Sequence, residues 1–316
     1  MTAAASAPAV QEPFWHAALL YADDDEYLAG TVPFIEEGLA ADEPVLVAVP
    51  AAKLALLQPQ FDASRAGRDL LAFAPMEDMG RNPAWIIPAW ADFMARRQGN
   101  ERARGIGEPI WSARSDHELV ECVRHEELLN LAFGDAAGFA LLCPYDTSSL
   151  DPSIIEGTGR THPHVRRGDI TTASTSYEDP VATLADRLPP VPPAATLVPF
   201  VRGPLGAIRL CIAAAATAAG VRGSRVDDVV LAVSEAVANS MRHGGGVGRL
   251  AMWHDLASFV CEIRDGGRIA DALAGRVRPK PDKASGRGLW IMTQLCDLVQ
   301  IRSLPDGQVI RLHVTT

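Results

Sequence analysis

Apolar and polar positions follow two different rhythms in this chain, one before residue 166 and another after residue 193. In the first stretch, compact apolar runs at residues 15–21, 45–49, 70–73, 105–110 and 138–143 have strand length. Segments of helical period at 26–39, 83–97 and 117–131 fall between them. The triplet Asp23-Asp24-Asp25 supplies an acidic N-terminal cap for the first of these helices. Strand and helix in alternation predict a parallel, doubly wound α/β layer.

The order changes after residue 193: a strand at 195–201, helices at 205–219 and 225–241, strands at 248–255 and 259–264, a helix at 289–296, and closing strands at 298–303 and 309–314. Helices grouped beside an antiparallel sheet predict an α+β two-layer sandwich. Between the two patterns, Thr171-Thr172-Ala173-Ser174-Thr175-Ser176 is followed by Leu188-Pro189-Pro190-Val191-Pro192-Pro193. Ser/Thr-rich and then Pro-rich composition reads as an extended, hydrated spacer. The expected division is therefore a domain at 12–165, a linker at 166–193 and a second domain at 194–316.

Charge sharpens the division. The net charge of −10 is split, residues 1–193 holding 14 Lys/Arg against 29 Asp/Glu and residues 194–316 holding 15 against 10. The acidic half argues against direct nucleic-acid binding, while the mildly basic half suits a polyanionic small ligand or an acidic protein partner. No apolar stretch reaches the roughly 18–20 residues of a membrane span, and the N-terminus lacks the basic and apolar regions of a secretory signal, so a cytoplasmic location is expected. The five cysteines, odd in number and set in apolar surroundings, suit free buried thiols in a reducing compartment. Cys122 and His125, with His117 upstream, sketch a metal site but have no second paired cluster, and a helix surface is the expected reading.

Three elements carry chemistry. Glu235 and Asn239 stand at i and i+4 inside an apolar helical run and are followed by His243-Gly244. Asp265-Gly266-Gly267 closes a strand, and Gly286-Arg287-Gly288-Leu289 opens a helix. Residues four apart stand one above the other on a helix, so Glu235 and Asn239 can address one ligand while Val226, Val229, Val230, Val233 and Val237 cover another face. An amide oxygen from Asn239 together with triphosphate oxygens would satisfy Mg²⁺, and Glu235 could serve as a general base. Asp265 can accept a hydrogen bond from an exocyclic amine, Gly267 leaves room for a planar base, and Gly286 and Gly288 let backbone N–H groups approach phosphate. Taken singly, these read as a solvated helix, a turn and a loop end; taken together, in this order, they read as a nucleotide site. The lid expected at 268–287 carries Arg276, Arg278, Lys280, Lys283 and Arg287 with Pro279 and Pro281, and reads either as a solvated loop or as a clamp on phosphate or an acidic partner.

Residues 195–316 resemble the GHKL ATPase superfamily and within it the anti-sigma-factor serine kinases, "GRGLWIMTQLCDLVQI" from Gly286 to Ile301 being especially similar. The resemblance implies a Bergerat-type sandwich binding ATP and Mg²⁺. It makes Glu235 the catalytic base, Asn239 the Mg²⁺ ligand, Asp265 the adenine-reading carboxylate and Gly267, Gly286 and Gly288 the close-approach glycines, with His243 and Gly244 ending the same box. One departure is Gly307-Gln308, where the family commonly has Gly-Thr. The preceding half resembles a MEDS-type sensory domain through "HAALLYADDDEYLAGTVPFIEEGL", "GIGEPIW" and "LLCPYD". That resemblance implies small-molecule input, with His16, Tyr21, Glu108, Trp111, Cys143, Tyr145 and Asp146 as lining residues at strand ends. His162 and His164 flank Pro163 instead of sitting on a long helix, which disfavours them as phosphoacceptors.

Together the resemblances imply a bacterial, intracellular protein serine/threonine kinase. It would bind Mg-ATP, sequester an alternative sigma factor and phosphorylate a STAS-type anti-sigma-factor antagonist under control of the N-terminal sensor. A homodimer is a further possible assembly. Two alternatives stay open: a non-catalytic, nucleotide-responsive partner-binding switch, and plain ATP hydrolysis.

Overall fold

The structure is a computed structural model that describes residues 14–61, 69–96, 102–178, 184–255, 257–279 and 286–316. The chain divides into two compact units, Met1–Val181 and Ala182–Thr316.

The first unit is built from β1 (Phe14–Tyr21), α1 (Asp24–Ala40), β2 (Val45–Val49), α2 (Ala51–Phe61), β3 (Leu71–Pro75), α3 (Met76–Met79) and α4 (Ile86–Ala95). It continues with β4 (Ala103–Gly107), α5 (Asp116–Phe133), β5 (Phe139–Asp146), α6 (Pro152–Thr161), β6 (His164–Arg167) and β7 (Ile170–Ala173). The seven strands form one sheet in the order β3-β2-β4-β5-β1-β6-β7, parallel throughout except for the closing β6–β7 hairpin. β1 is buried along almost its whole length, which a strand covered by helices on both faces requires and which explains its unbroken apolar run. Asp23 caps α1 by accepting from the Glu26 amide, and Ser115 opens α5 with a reciprocal capping box to Glu118. Trp15, Ala17, Leu19 and Tyr21 from one face of β1 join Tyr27, Phe34, Ile35, Leu54 and Leu57 in the core beneath α1 and α2.

The second unit contains β8 (Thr196–Val201), α7 (Gly206–Ala218), α8 (Ser224–His243), β9 (Val247–Asp255), β10 (Ser258–Asp265), α9 (Arg287–Leu295), β11 (Leu298–Leu304) and β12 (Gly307–Thr315). Its strands form an antiparallel sheet in the order β11-β12-β10-β9-β8, covered on one face by the three helices. Ile212, Val229, Val233, Ala236, Val237, Cys261, Ile263, Met292, Ile310 and Leu312 make the shared core. Each such aliphatic side chain, fully buried, contributes about 1.5–3 kcal/mol, so the α8 stripe alone fixes how that helix lies on the sheet.

The expected spacer differs on both sides. Residues 166–173 are not extended coil but the end of β6 and all of β7, a hairpin that adds two strands to the first sheet. The Pro-rich stretch belongs to the second unit: Leu184 carbonyl accepts from the Ser303 amide at 2.7 Å, Leu188 packs with Leu304 and Val309, and Pro189 carbonyl accepts from Arg311 Nη2 at 2.6 Å. Arg311 also makes a buried ion pair with Glu262 at 2.6 Å, so this segment closes over a sheet face whose charges are already paired. A proline-rich strap leaves few amide donors to satisfy, which suits chain that lies on a sheet without joining it. All five cysteines are free, four of them buried, as composition implied. Cys122 and His125, expected on a helix surface, are instead buried on the inner side of α5.

Candidate functional site

The apolar stripe of α8 leaves Glu235 and Asn239, one turn apart, half-buried on the flank that α9 approaches. Glu235, Asn239, Arg242 and His243 line a cleft of about 480 Å³ together with Arg268 and Ile269 after β10, Gly286–Leu289 at the start of α9, and Gln308 and Ile310 of β12. Seven of the ten sequence-expected site residues thus converge: Glu235, Asn239, His243, Gly286, Arg287, Gly288 and Leu289.

Gly288 explains how α9 comes so close. A Cβ there would lie 2.9 Å from Asn239 Nδ2 and 3.1 Å from Glu235 Oε2, tighter than a methyl group tolerates without displacement. Gly286 stands at the N-cap of α9 with φ 92°, a left-handed conformation natural to glycine, and no side chain caps the helix. The first N–H groups of α9 therefore open at the cleft wall, where the helix dipole favours an anion. Arg242, Arg268 and Arg287 add positive charge around the same space. Asn239 Oδ1 accepts from Arg242 Nη2 at 3.0 Å. An amide oxygen beside a carboxylate is a hard-oxygen donor pair that suits Mg²⁺, with exposed Arg242 standing where such a cation would compete for the amide.

Asp265, Gly244 and Gly267 form a tight group beside the cleft and do not line it. Asp265 is buried, and its Oδ1 accepts from the Gly267 amide at 2.7 Å. Oδ2 accepts from Gln308 Nε2 at 2.9 Å and from the Ser240 hydroxyl. Gln308 pairs with Asp265 in the β10–β12 register, so the residue standing in place of threonine supplies a donor to the carboxylate and presents itself at the cleft. A side chain at Gly267 would meet Asp265 Oδ1 at 2.7 Å and Gly244 Cα at 3.0 Å, so glycine is needed there first for the turn itself. Sequence reasoning missed Ser240, Arg242 and Arg268. The available signal for Ser240 was a polar residue four positions after Ala236 on the buried stripe, where a hydroxyl needs a partner.

The expected lid begins as folded chain. Ala274 and Arg276 amides close turns onto Asp271 and Leu273, Thr293 Oγ1 donates to Gly275 carbonyl at 2.9 Å, and Arg278 lies 5.9 Å from the Trp290 ring. Arg276 is buried, so it does not belong to a solvated charge run. Lys280, Pro281 and Lys283 lie outside the described residues.

In the first unit the expected lining residues separate into groups. Tyr21, Glu108 and Asp146 do sit at the C-terminal ends of β1, β4 and β5. Tyr21 hydroxyl donates to Glu108 Oε1 at 2.7 Å, and Lys53 Nζ lies 4.6 Å from the Tyr21 ring. Burial pushes the Glu108 carboxyl up to about 8, against the opposing pull of the Tyr21 hydrogen bond. Trp111 stacks under Arg114, whose guanidinium is 3.9 Å from the ring centre. His16 and Cys143 are mid-strand, and Tyr145 is fully enclosed.

Comparison with known families agrees with this division. Residues 15–163 match the MEDS family, the methanogen/methylotroph, DcmR sensory domain, and residues 202–314 match the histidine kinase-like ATPase domain. No curated protein matches the chain at a significant level. Among the described residues no helix is long and apolar enough to cross a membrane. A doubly wound unit is thus followed by a helix-covered antiparallel sheet with its cleft between α8 and α9, and the chain joins an N-terminal MEDS sensory domain to a GHKL-type, histidine kinase-like ATPase domain.

Proposed function

We propose that the second domain is a cytoplasmic protein serine/threonine kinase that binds Mg-ATP in the α8–α9 cleft, captures an alternative sigma factor, and phosphorylates an anti-sigma-factor antagonist of STAS type. The MEDS domain supplies the regulating signal from a small molecule. The observation that carries the catalytic part is the convergence of Glu235, Asn239 and the glycine-opened start of α9 on one cleft flanked by three arginines.

In this reading the α9 N-terminus and Arg242, Arg268 and Arg287 bind the phosphate chain, and Asn239 Oδ1, which now accepts from Arg242, would hold the cation. Bound Mg²⁺ would supply charge neutralisation at the phosphates. Glu235 accepts the proton of the partner's hydroxyl as it attacks the γ-phosphorus, and the bond to the bridging oxygen of ADP breaks. Gln308, held by Asp265, extends the recognition of the base to the cleft. Glu235→Ala is expected to lower phosphotransfer by roughly 10²- to 10⁴-fold while ATP affinity stays within a few-fold. Phosphotransfer unchanged in that variant, measured with labelled ATP and the co-purified partner, removes Glu235 from this role.

A second reading, a nucleotide-responsive binding switch without phosphotransfer, is favoured by two contacts: Gln308 in place of threonine on Asp265, and Arg242 on the amide oxygen of Asn239. Nucleotide-dependent partner capture with no labelled phosphoprotein would establish it over the kinase.

A further inference from the structure

A second constellation lies inside the MEDS domain, away from the α8–α9 cleft in sequence. β1 turns Trp15 and Ala17 toward α1 and α2, and so turns His16 to the opposite side, where α5 covers the sheet. There His16 meets Cys143 of the neighbouring strand β5, Glu126 of α5 and His162 at the end of α6. All four side chains are fully buried.

The hydrogen bonds around this group fix what it presents. Asn130 Nδ2 donates to the carbonyls of Thr161 at 2.6 Å and Glu126 at 3.3 Å, so its Oδ1 must be the acceptor facing His16 Nδ1 at 3.0 Å. His162 Nδ1 faces the Thr158 carbonyl at 2.9 Å, which can only accept. Both imidazoles therefore carry their proton on Nδ1 and aim the Nε2 lone pair inward, the outer-sphere arrangement that orients metal-ligating histidines.

Inside, the lone pairs of Glu126 and of the two Nε2 atoms converge, with the Cys143 thiol beside them. His16 Nε2 and His162 Nε2 lie 3.3 and 3.4 Å from Glu126 Oε2, yet both oxygens of Glu126 and His162 Nε2 lack a hydrogen-bond partner among the described residues. Converging lone pairs in a dry interior are costly unless a cation lies between them. Three of the donor pairs are already near a coordination-shell spacing, His16 Nε2 being also 3.3 Å from Cys143 Sγ, and all four donor atoms lie within 4.8 Å of one another, so closing on an ion needs only a small contraction. Ligand bonds of about 2.0–2.3 Å place the corners of a tetrahedron roughly 3.3–3.8 Å apart.

We propose that His16, Glu126, Cys143 and His162 form a closed tetrahedral site for a borderline divalent ion, Zn²⁺ by preference. Two imidazoles, one carboxylate and one thiolate are its natural donors, and the two anionic ligands cancel the charge of the ion in a buried place. Binding breaks the Cys143 S–H bond, forms the S–metal bond and releases one proton to solvent. With four protein ligands and no open position, the ion is structural. It ties β1, β5, α5 and the α6–β6 junction together, so that occupancy governs the order of the sensory domain.

The test uses the full-length chain purified without chelators or an immobilised-metal column. We expect about one zinc per chain by elemental analysis. After removal by a chelator, Co²⁺ titration should give the visible bands of tetrahedral cobalt with thiolate-to-metal charge transfer. Cys143→Ser should abolish the charge-transfer band and weaken zinc binding at least tenfold, with His162→Gln weakening it comparably. Asn130→Ala, which leaves every ligand in place, should weaken it by about 10- to 100-fold through lost orientation of His16. Should a ligand variant fail to fold, the wild-type spectrum and Asn130→Ala still decide the question. A wild-type chain that takes up no stoichiometric Zn²⁺ or Co²⁺, or zinc bound equally by Cys143→Ser and His162→Gln, overturns the site.

Discussion

Glu108 shows how burial alone can make one residue pH-sensitive. Its carboxyl, pushed by burial from 4.5 up to about 8, keeps in the folded state a proton that the unfolded chain loses near its ordinary value. The associated stabilisation is complete below about pH 4.5, declines as pH rises toward 8, and changes no further above that. Glu108→Gln stays neutral and keeps an acceptor for Tyr21, so its melting temperature should fall less between pH 5 and 8 than that of the wild type. Parallel melting curves across that range would exclude Glu108 as the source. The sequence marked Glu108 as a strand-end residue. Its proton depends on burial beside Tyr21 of β1, which no local spacing reports. Asp265 is similar: its place at the end of β10 was legible, but its Ser240 and Gln308 donors come from another helix and another strand.

At the level of elements, α8 and α9 pack side by side, and Gly288 leaves room for the ends of Asn239 and Glu235 between them. Gly288→Ala should push the side-chain ends of Asn239 and Glu235 out of their places beside α9, with little loss of stability but weaker nucleotide binding by tenfold or more. Isothermal titration with ATP analogues reads this directly, and unchanged affinity would mean that the cleft accommodates a methyl group. α1 and α5 were visible in the chain through their local caps, and α8 through its apolar stripe. α2 was not, since Pro50 before it and Pro59 within it read as breakers. α6 and the β6–β7 hairpin hid in Ser/Thr-rich sequence that has too few apolar positions to show a period.

For the molecule as a whole, the boundary matters most. Because Leu184, Leu188 and Pro189 are fastened to β11 and β12, a fragment starting at Ala182 should fold and bind nucleotide like the full chain. One starting at Ala195 should be less stable by about 2–5 kcal/mol, since it exposes Leu304 and Val309 and leaves Arg311 without its carbonyl partner. Equal urea midpoints for the two fragments would contradict the strap. Composition located the change of architecture near residues 166–193, but could not say that its two ends are claimed by different sheets.

The chain by itself determined the two fold classes and the order of most elements, because periodicity, caps and short motifs are properties of neighbours in sequence. Only the tertiary structure decided which donors hold Asp265, where the proline-rich strap lies, and that residues 16, 126, 143 and 162 meet at one point. Those depend on strand order and crossovers, which bring side chains more than a hundred positions apart within one ligand shell.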